Sequence, residues 1–158
     1  MRRVGAWLLA ALATCMIPDA AADEDVVRRQ LVGADFTSAR EALIEAIEGE
    51  GLVVGAELSI NDMLARTAGD LGKSASPFAQ AITVQFCSTG VAWQLIEEDA
   101  AQVALCPLSI SLYATAAEPE RIMLAYRSPG RASAARRQAG EVLNRLLRRT
   151  LDVARLRW

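Results

Sequence analysis

The stretch from Phe86 to Tyr113 constrains how this chain can fold more than any other, because a predicted strand, helix and strand follow one another there with a cysteine at each junction. Cys87 ends the first strand, and Cys106 comes just before the second. If residues 100–105 return the chain along the helix, Cys106 comes back beside Cys87. If the two strands are parallel neighbours instead, the cysteines lie at opposite ends of the sheet, too far apart to bond. The sequence allows both arrangements.

Apolar periodicity divides the chain into strands and helices. Ser38 and Glu41 have the spacing of a capping box that opens a helix, and Gly51 is placed to end it. The predicted strands span residues 25–35, 52–60, 81–87, 108–113 and 121–126, and the predicted helices span residues 39–50, 61–71, 88–99 and 131–157. The order β-α-β-(short α)-β-α-β-β-α predicts an α+β fold, a two-layer sandwich of a mixed β-sheet with helices on one face.

The first 22 residues have the composition of an export signal. Two arginines precede an apolar run over residues 4–17, and the alanines at 20–22 form a small-residue cleavage site. The apolar run is shorter than the roughly 20 residues that span a bilayer. We therefore predict a signal peptide over residues 1–22 and a periplasmic or secreted protein. A lipoprotein acylated at Cys15 is the alternative.

Charge divides the remaining chain into an acidic body, residues 23–130, and an arginine-rich C-terminal helix, residues 131–158. We expect this helix to pack on the acidic body of its own chain. The alternatives are contact across a homodimer, contact with another exported protein, and peripheral contact of the Arg131–Trp158 helix with an anionic membrane. A formal net charge of -2 at pH 7 and the lack of a nucleic-acid-binding motif argue against a nucleic-acid partner.

The chain contains no histidine, and this absence removes several classes of function. Ser-His-Asp and Cys-His catalysis, histidine-ligated zinc and haem attachment through a C-x-x-C-H motif all need that residue. The sequence also has no C-x-x-C pair, no P-loop and no G-x-G-x-x-G motif. We therefore favour a protein without catalytic residues.

Several separated motifs together resemble a known family. They are the segment MLARTAGDLG (Met63–Gly72), the triplet Phe86–Ser88, the pair Cys106–Pro107, and Tyr113. In this order they resemble the domain of unknown function 302 family, and the FCS and CP elements are similar to those of its exported branch. The resemblance covers roughly residues 26–126 and leaves the basic C-terminal helix outside. It implies a compact α+β domain that is often dimeric, and it implies no particular biochemical activity.

Cys87 and Cys106 offer the most distinctive chemistry in the chain. Paired cysteines in an oxidising compartment tend to form a disulfide, and a loop of this length would stabilise the fold by about 3 kcal/mol. Two thiolates could also hold a soft ion such as Cu(I), with help from Met63 or Met123. The same pair could act as a thiol switch. A structural bridge or two small buried side chains is the interpretation we favour.

Three further residues are candidates for binding. Arg66 and Thr67 lie in the family-like segment and could bind a small anion or a carboxylate of a partner. We favour a structural role, in which Arg66 forms an ion pair with Asp62 or Asp70. Tyr113 could line a pocket, although packing in the core or at a sheet edge is commoner. The sequence therefore favours an exported, dimeric, non-catalytic binding or interaction module without a cofactor. The alternative is a copper-binding or thiol-redox protein that uses Cys87 and Cys106.

Overall fold

The computed structural model describes residues 25–156, which form five strands, four helices and two short 3-10 segments. The strands are β1 (Val26–Leu31), β2 (Val53–Ser59), β3 (Phe78–Cys87), β4 (Leu108–Thr115) and β5 (Ile122–Arg127). The helices are α1 (Phe36–Glu48), α2 (Ile60–Thr67), α3 (Thr89–Glu98) and α4 (Ala134–Leu156). The 3-10 segments are Gly69–Leu71 and Ala100–Leu105, and the second of these is called the return segment below. The predicted signal peptide and Cys15 lie outside the described residues.

The five strands form one sheet in the order β1-β5-β4-β3-β2. The predicted α+β class is confirmed, and the order of elements agrees with the prediction. All four strand pairings are antiparallel, so the sheet is more uniform than the mixed one expected. The reason is that β1 and β2, which run in the same direction and are joined through α1, lie at opposite edges of the sheet and do not pair. The other connections each reverse the chain beside its previous strand.

Strand β4 shows how the sheet acquires two different sides. Its residues are buried and half-buried in strict alternation along the whole strand. The buried set is Leu108, Ile110, Leu112 and Ala114, and the half-buried set is Ser109, Ser111, Tyr113 and Thr115. Because successive side chains of a strand point to opposite faces, one face of the sheet is apolar and the other is mostly polar.

Helices α1, α3 and α4 cover the apolar face and build the core with it. Their inward positions are small or aliphatic and follow helical spacing, as expected of amphipathic helices. The buried apolar residues of these helices are Ala39, Ala42, Leu43, Ala46, Ile47, Val91, Leu95, Ala135, Ala139, Val142, Leu143, Leu146, Leu147 and Ala154. Helix α2, by contrast, has no buried residue.

The start of α1 differs from the predicted capping box. Helix α1 begins at Phe36, and its N-cap is Asp35, whose carboxylate accepts hydrogen bonds from the Ser38 amide at 2.9 Å and the Ser38 hydroxyl at 3.1 Å. These bonds hold the pKa of the Asp35 carboxyl below its ordinary value. Ser38 is therefore not the capping residue itself but donates hydrogen bonds to the N-cap, Asp35. The predicted stop is confirmed, since Gly51 has a φ of 72°, which residues with a side chain rarely adopt.

Strand β2 lies at one edge of the sheet and is irregular in its middle. The pairing with β3 shifts register between Val54 and Ala56, so Gly55 lies at the irregularity, as its position in the sequence suggests. Beyond it, Glu57 accepts hydrogen bonds from two nitrogens of Arg40 on α1. This ion pair fastens the outer part of β2 to the helix layer.

Helix α4 packs on the body of its own chain, as expected from the charge pattern. Arg149 donates a hydrogen bond to the Gly49 carbonyl at 3.2 Å, and Arg145 lies 3.5 Å from the Glu50 carboxylate. Both contacts are made at the C-terminal end of α1, where a cation is favourable. The apolar stripe of α4 is buried in the core, so a membrane contact would have to use its arginine side. No helix within residues 25–156 combines the length and the apolar character that crossing a bilayer requires.

We predict that Leu146→Ala, in the middle of α4, lowers the free energy of unfolding by about 3 kcal/mol. Leu146 is 0% exposed, so its truncation leaves a cavity between α4 and the rest of the core. Urea denaturation measures the change. Arg148→Ala, two residues along on the exposed side, is the control and should change stability by less than about 0.5 kcal/mol. Equal, small effects of both substitutions would mean that α4 contributes little to the core.

Candidate functional site

The polar side of the sheet lies away from α1, α3 and α4 and is called the open face below. The strand register shows which residues share it, because cross-strand partners project to the same side. One row across the sheet consists of Thr83, Ser111, Ala125 and Arg28, and the next row consists of Ala81, Tyr113, Met123 and Gln30. In the first row, the Thr83 and Ser111 hydroxyls are hydrogen-bonded at 2.8 Å. The open face is therefore an ordered surface of small polar groups with aromatic, aliphatic and charged side chains around it.

A cleft of about 300 Å³ opens on this face at the end of β4. Its lining residues are Arg28, Tyr113, Thr115, Glu118, Arg121 and Met123. Strands β1, β4 and β5 and the turn between β4 and β5 all contribute to it. Strand β1 and the β4–β5 hairpin thus meet in one concave site, which is the usual setting for a small-molecule ligand.

Two arginines give the cleft its charge. Arg121 forms an ion pair with Glu118 at 3.2 Å, and both side chains are about half exposed, so water weakens the attraction between them. Arg28 forms no ion pair with any other residue of the described chain. The cleft therefore carries more positive than negative charge.

Tyr113 is held in the cleft by an aromatic neighbour. Its ring lies against Phe78, with ring centroids 5.7 Å apart and an interplanar angle of 69°. Such edge-on contacts fix ring orientation in addition to burying area. Tyr113 thus lines the cleft and also packs against a neighbouring ring. Arg28 and Arg121 were not identified from the sequence, because only the register of β1 with β5 brings Arg28 near the β4–β5 turn.

The two cysteines both lie at the end of β4 opposite to the cleft. Strand β3 ends at Cys87, and its last pair with β4 is Phe86 with Leu108. Cys106 caps the return segment and leads through a cis peptide bond into Pro107. The chain therefore does double back over residues 100–105, as the first of the two possible arrangements requires.

Both thiols are free, so the expected structural disulfide is not formed in this structure. Cys87 is exposed, whereas Cys106 is half-buried against the core. Burial raises the pKa of the Cys106 thiol, and repulsion from the Cys87 thiolate raises it further. That repulsion reflects how close the two sulfur groups lie.

A polar network around the buried side chain of Gln102 explains how the chain reverses between β3 and β4. Gln102 is 5% exposed, and its amide nitrogen donates to the Leu95 carbonyl at 3.1 Å and to Glu98 at 3.3 Å. Its amide oxygen accepts from Arg136 Nε at 2.8 Å. Glu98 in turn accepts from the Ala135 amide at the start of α4, at 2.9 Å. Gln102, Glu98 and Arg136, the return network, thus join α3, the return segment and α4.

Arg66 and Thr67 lie apart from both sites. They belong to the last turn of α2, and neither lines the cleft. The Thr67 hydroxyl donates to the Met63 carbonyl at 3.0 Å, which is a local bond within the helix. Within the described chain, Arg66 forms no ion pair with Asp62 or Asp70, so the expected structural role is not seen.

The described residues contain no group of three or more histidine, cysteine, aspartate or glutamate side chains placed to hold a metal ion. A Cu(I) site at the cysteines would therefore have to use the two thiolates with little further help. Met63 lies in α2, and Met123 lies in the cleft, beside Tyr113 near the end of β4 that is opposite the cysteines. The methionine assistance expected from the sequence is thus not supported by position.

Comparison with known proteins identifies the family. The family model described as "Domain of unknown function DUF302" matches residues 28–154. The chain belongs to the DUF302 family. The match includes most of α4 and so extends past the residues 26–126 over which the sequence motifs resemble the family. This agrees with the place of α4 in the DUF302 core.

A solved DUF302 structure has a similar fold. It is the crystal structure of an uncharacterised conserved DUF302 protein from Bacillus stearothermophilus, with a TM-score of 0.62 and 16% sequence identity. The similarity covers 83% of this chain and 98% of that one. At this identity the comparison shows the fold alone. No match was found among the curated proteins.

We predict that Glu98 makes the stability of this DUF302 domain fall in acid. Hydrogen bonds from the Ser133 hydroxyl and the Ala135 amide lower the pKa of Glu98 from its ordinary 4.5. Its stabilising effect is therefore complete above that ordinary value and is lost as the pH falls through the lowered pKa. Glu98→Gln should lose less stability than the wild type between pH 7 and about pH 3, measured by urea denaturation. Glu97→Gln is the control and should keep the wild-type loss; equal losses in all three proteins would contradict the assignment.

Proposed function

We propose that this DUF302 protein is a non-catalytic binding module whose ligand site is the cleft on the open face. The observation that carries the proposal is the meeting of two arginines with Tyr113 and Met123 in one concave site of about 300 Å³. A volume at the lower end of the usual range for ligand pockets suits a small molecule.

The charge of the cleft supports an anionic ligand. A guanidinium group presents several fixed N–H donors and binds carboxylate or phosphate oxygens with two parallel hydrogen bonds. Within the described chain, Arg28 forms no ion pair, so its N–H donors are available to a ligand carboxylate. Arg121 forms only an exposed, weak ion pair with Glu118. A ligand carboxylate between them would meet donors from two sides.

The remaining lining supports an apolar or aromatic part in the same ligand. The Tyr113 ring and the Met123 side chain are neighbours across β4 and β5 in the strand register. Both line the cleft together with the two arginines. Aromatic and thioether side chains offer polarisable contacts to a ring or a hydrocarbon chain. We therefore infer a small carboxylate with an apolar group as the ligand class.

Export and dimerisation are further parts of the proposal. Export is supported by the composition of residues 1–22, and dimerisation is supported by the family resemblance. Sedimentation equilibrium on the purified chain tests the dimer, and a monomer at micromolar concentration would contradict it. Copper is the alternative ligand, and the two thiols of Cys87 and Cys106 are its proposed ligands.

We predict that phenylacetate, which combines a carboxylate with a ring, binds in the cleft. Its titration should shift the backbone amide NMR signals of Arg28, Tyr113 and Met123. Arg28→Ala and Arg121→Ala should each weaken binding roughly tenfold, because each removes a charge-assisted hydrogen bond. Phenylacetamide, which lacks the charge, should bind more weakly than phenylacetate.

The matched control is Arg148→Ala, which removes an exposed arginine on α4 far from the cleft in the fold. It should leave the affinity for phenylacetate unchanged. Shifts that map elsewhere, or no shifts in the cleft at saturating phenylacetate, would contradict the proposed site. Equal weakening by all three arginine substitutions would show that net charge, and not the cleft, attracts the anion.

A further inference from the structure

We propose that Cys87 and Cys106 form a thiol–disulfide exchange site, with Cys87 as the attacking thiol and Cys106 as the resolving thiol. The site lies where β3 ends and β4 begins, at the other end of β4 from the Tyr113 cleft. Five residue steps of β4 separate Leu108 from Tyr113, or roughly 17 Å. The activity is therefore separate from ligand binding in the cleft.

The strand register places the two cysteines at the same end of two adjacent strands. The last pair of the β3–β4 ladder is Phe86 with Leu108. Cys87 directly follows Phe86, and Cys106 lies two residues before Leu108, so both cysteines lie at the same end of these neighbouring strands. The electrostatic effect of Cys87 on the Cys106 thiol agrees with this proximity.

The different environments of the two thiols suit different roles. Cys87 is exposed, so the disulfide of another molecule can reach it. Cys106 is half-buried against the core, out of reach of a large partner but beside Cys87. Burial and the neighbouring thiolate both raise the pKa of Cys106, so this thiol ionises less readily than an ordinary cysteine.

The exchange takes place in two steps and uses the disulfide of a partner, R–S–S–R′, as the oxidant. The Cys87 thiolate attacks one sulfur of that disulfide, forms a mixed disulfide with R–S and releases R′–S⁻. Cys106 then loses its proton and attacks the Cys87 sulfur, which forms the intramolecular disulfide and releases R–S⁻. Two protein thiols are oxidised and one disulfide is reduced, with two electrons transferred. The released thiolates take up the two protons.

The arrangement favours a reversible bond over a permanent one. An exposed Cys87 leaves the disulfide open to attack by an external thiol, and exposed disulfides are the more readily reduced ones. Cys106 also packs on the core in the free form, so bonding has to draw its sulfur toward the surface. Both features raise the ease of reduction relative to a buried structural disulfide.

The test uses the full chain with oxidised glutathione as the partner disulfide. Samples are quenched with iodoacetamide, and peptide mass spectrometry assigns the products to Cys87, Cys106 and Cys15 separately. In the wild type we expect the Cys87–Cys106 disulfide as the main product, with the mixed disulfide at about a tenth or less, because the neighbouring thiol acts at high effective concentration. Reduced glutathione in excess should reverse the reaction.

Two substitutions separate the roles of the thiols. Cys106→Ser should accumulate the mixed disulfide at Cys87, because no resolving thiol remains. Cys87→Ser should leave Cys106 largely unreacted at the same oxidant concentration. Circular dichroism checks that both variants fold, and the wild-type product ratio tests the proposal without any substitution.

Three results would overturn the proposal. One is a wild type that stops at the mixed disulfide, which would mean that Cys106 cannot reach Cys87. Another is equal reactivity of Cys106 with and without Cys87, which would show two independent thiols. The last is a reduced protein that retains added Cu(I) at Cys87 and Cys106 and forms no intramolecular disulfide after the metal is removed, which would identify the pair as a metal site.

Discussion

The arrangement of this domain depends on the hydrogen bonds made by the buried side-chain amide of Gln102. A single side chain satisfies donors and acceptors from three directions, toward Leu95 and Glu98 on α3 and Arg136 on α4. A six-residue 3-10 segment advances about 12 Å, close to the roughly 15 Å of the ten-residue α3, so the chain can return to the end of β3. That return makes β4 an antiparallel neighbour of β3. At the same place, Glu98 accepts a hydrogen bond from the Ala135 amide in the first turn of α4.

Strand β4 lies in the middle of the sheet and contributes side chains both to the core and to the open face. Its apolar positions join the core beneath α1 and α4, while the alternate positions line the open face. The two candidate sites lie at the two ends of this one strand, with Cys106 before its first residue and Tyr113 near its last. Most of the length of β4 therefore separates the two candidate sites.

The sequence was sufficient for the elements, the fold class and the family, because periodicity, Gly51 and the separated motifs are local features. It was not sufficient for the site. Arg28 and Arg121 are ordinary charged residues in the sequence, and their proximity depends on β1 pairing with β5 across the whole chain. The start of α1 was misplaced because Ser38 and Asp35 are both good caps, and the structure uses the earlier one. The return segment could be inferred only as one of two topologies, since the side chain that fixes it pairs with residues far along the chain.

The irregular edge of the sheet has a consequence for the behaviour of the protein at high concentration. An edge strand with free backbone groups is a template on which a second molecule can add its own strand, and repeated addition leads to fibrils. In β2 the shift at Gly55 interrupts the straight run of donors and acceptors, and the pairing of Glu57 with Arg40 keeps a charged group beside it. A strand arriving from another molecule would meet a kinked backbone and an ion pair that it has to dehydrate. The edge thereby discourages intermolecular polymerisation at no cost to the packed side of the sheet.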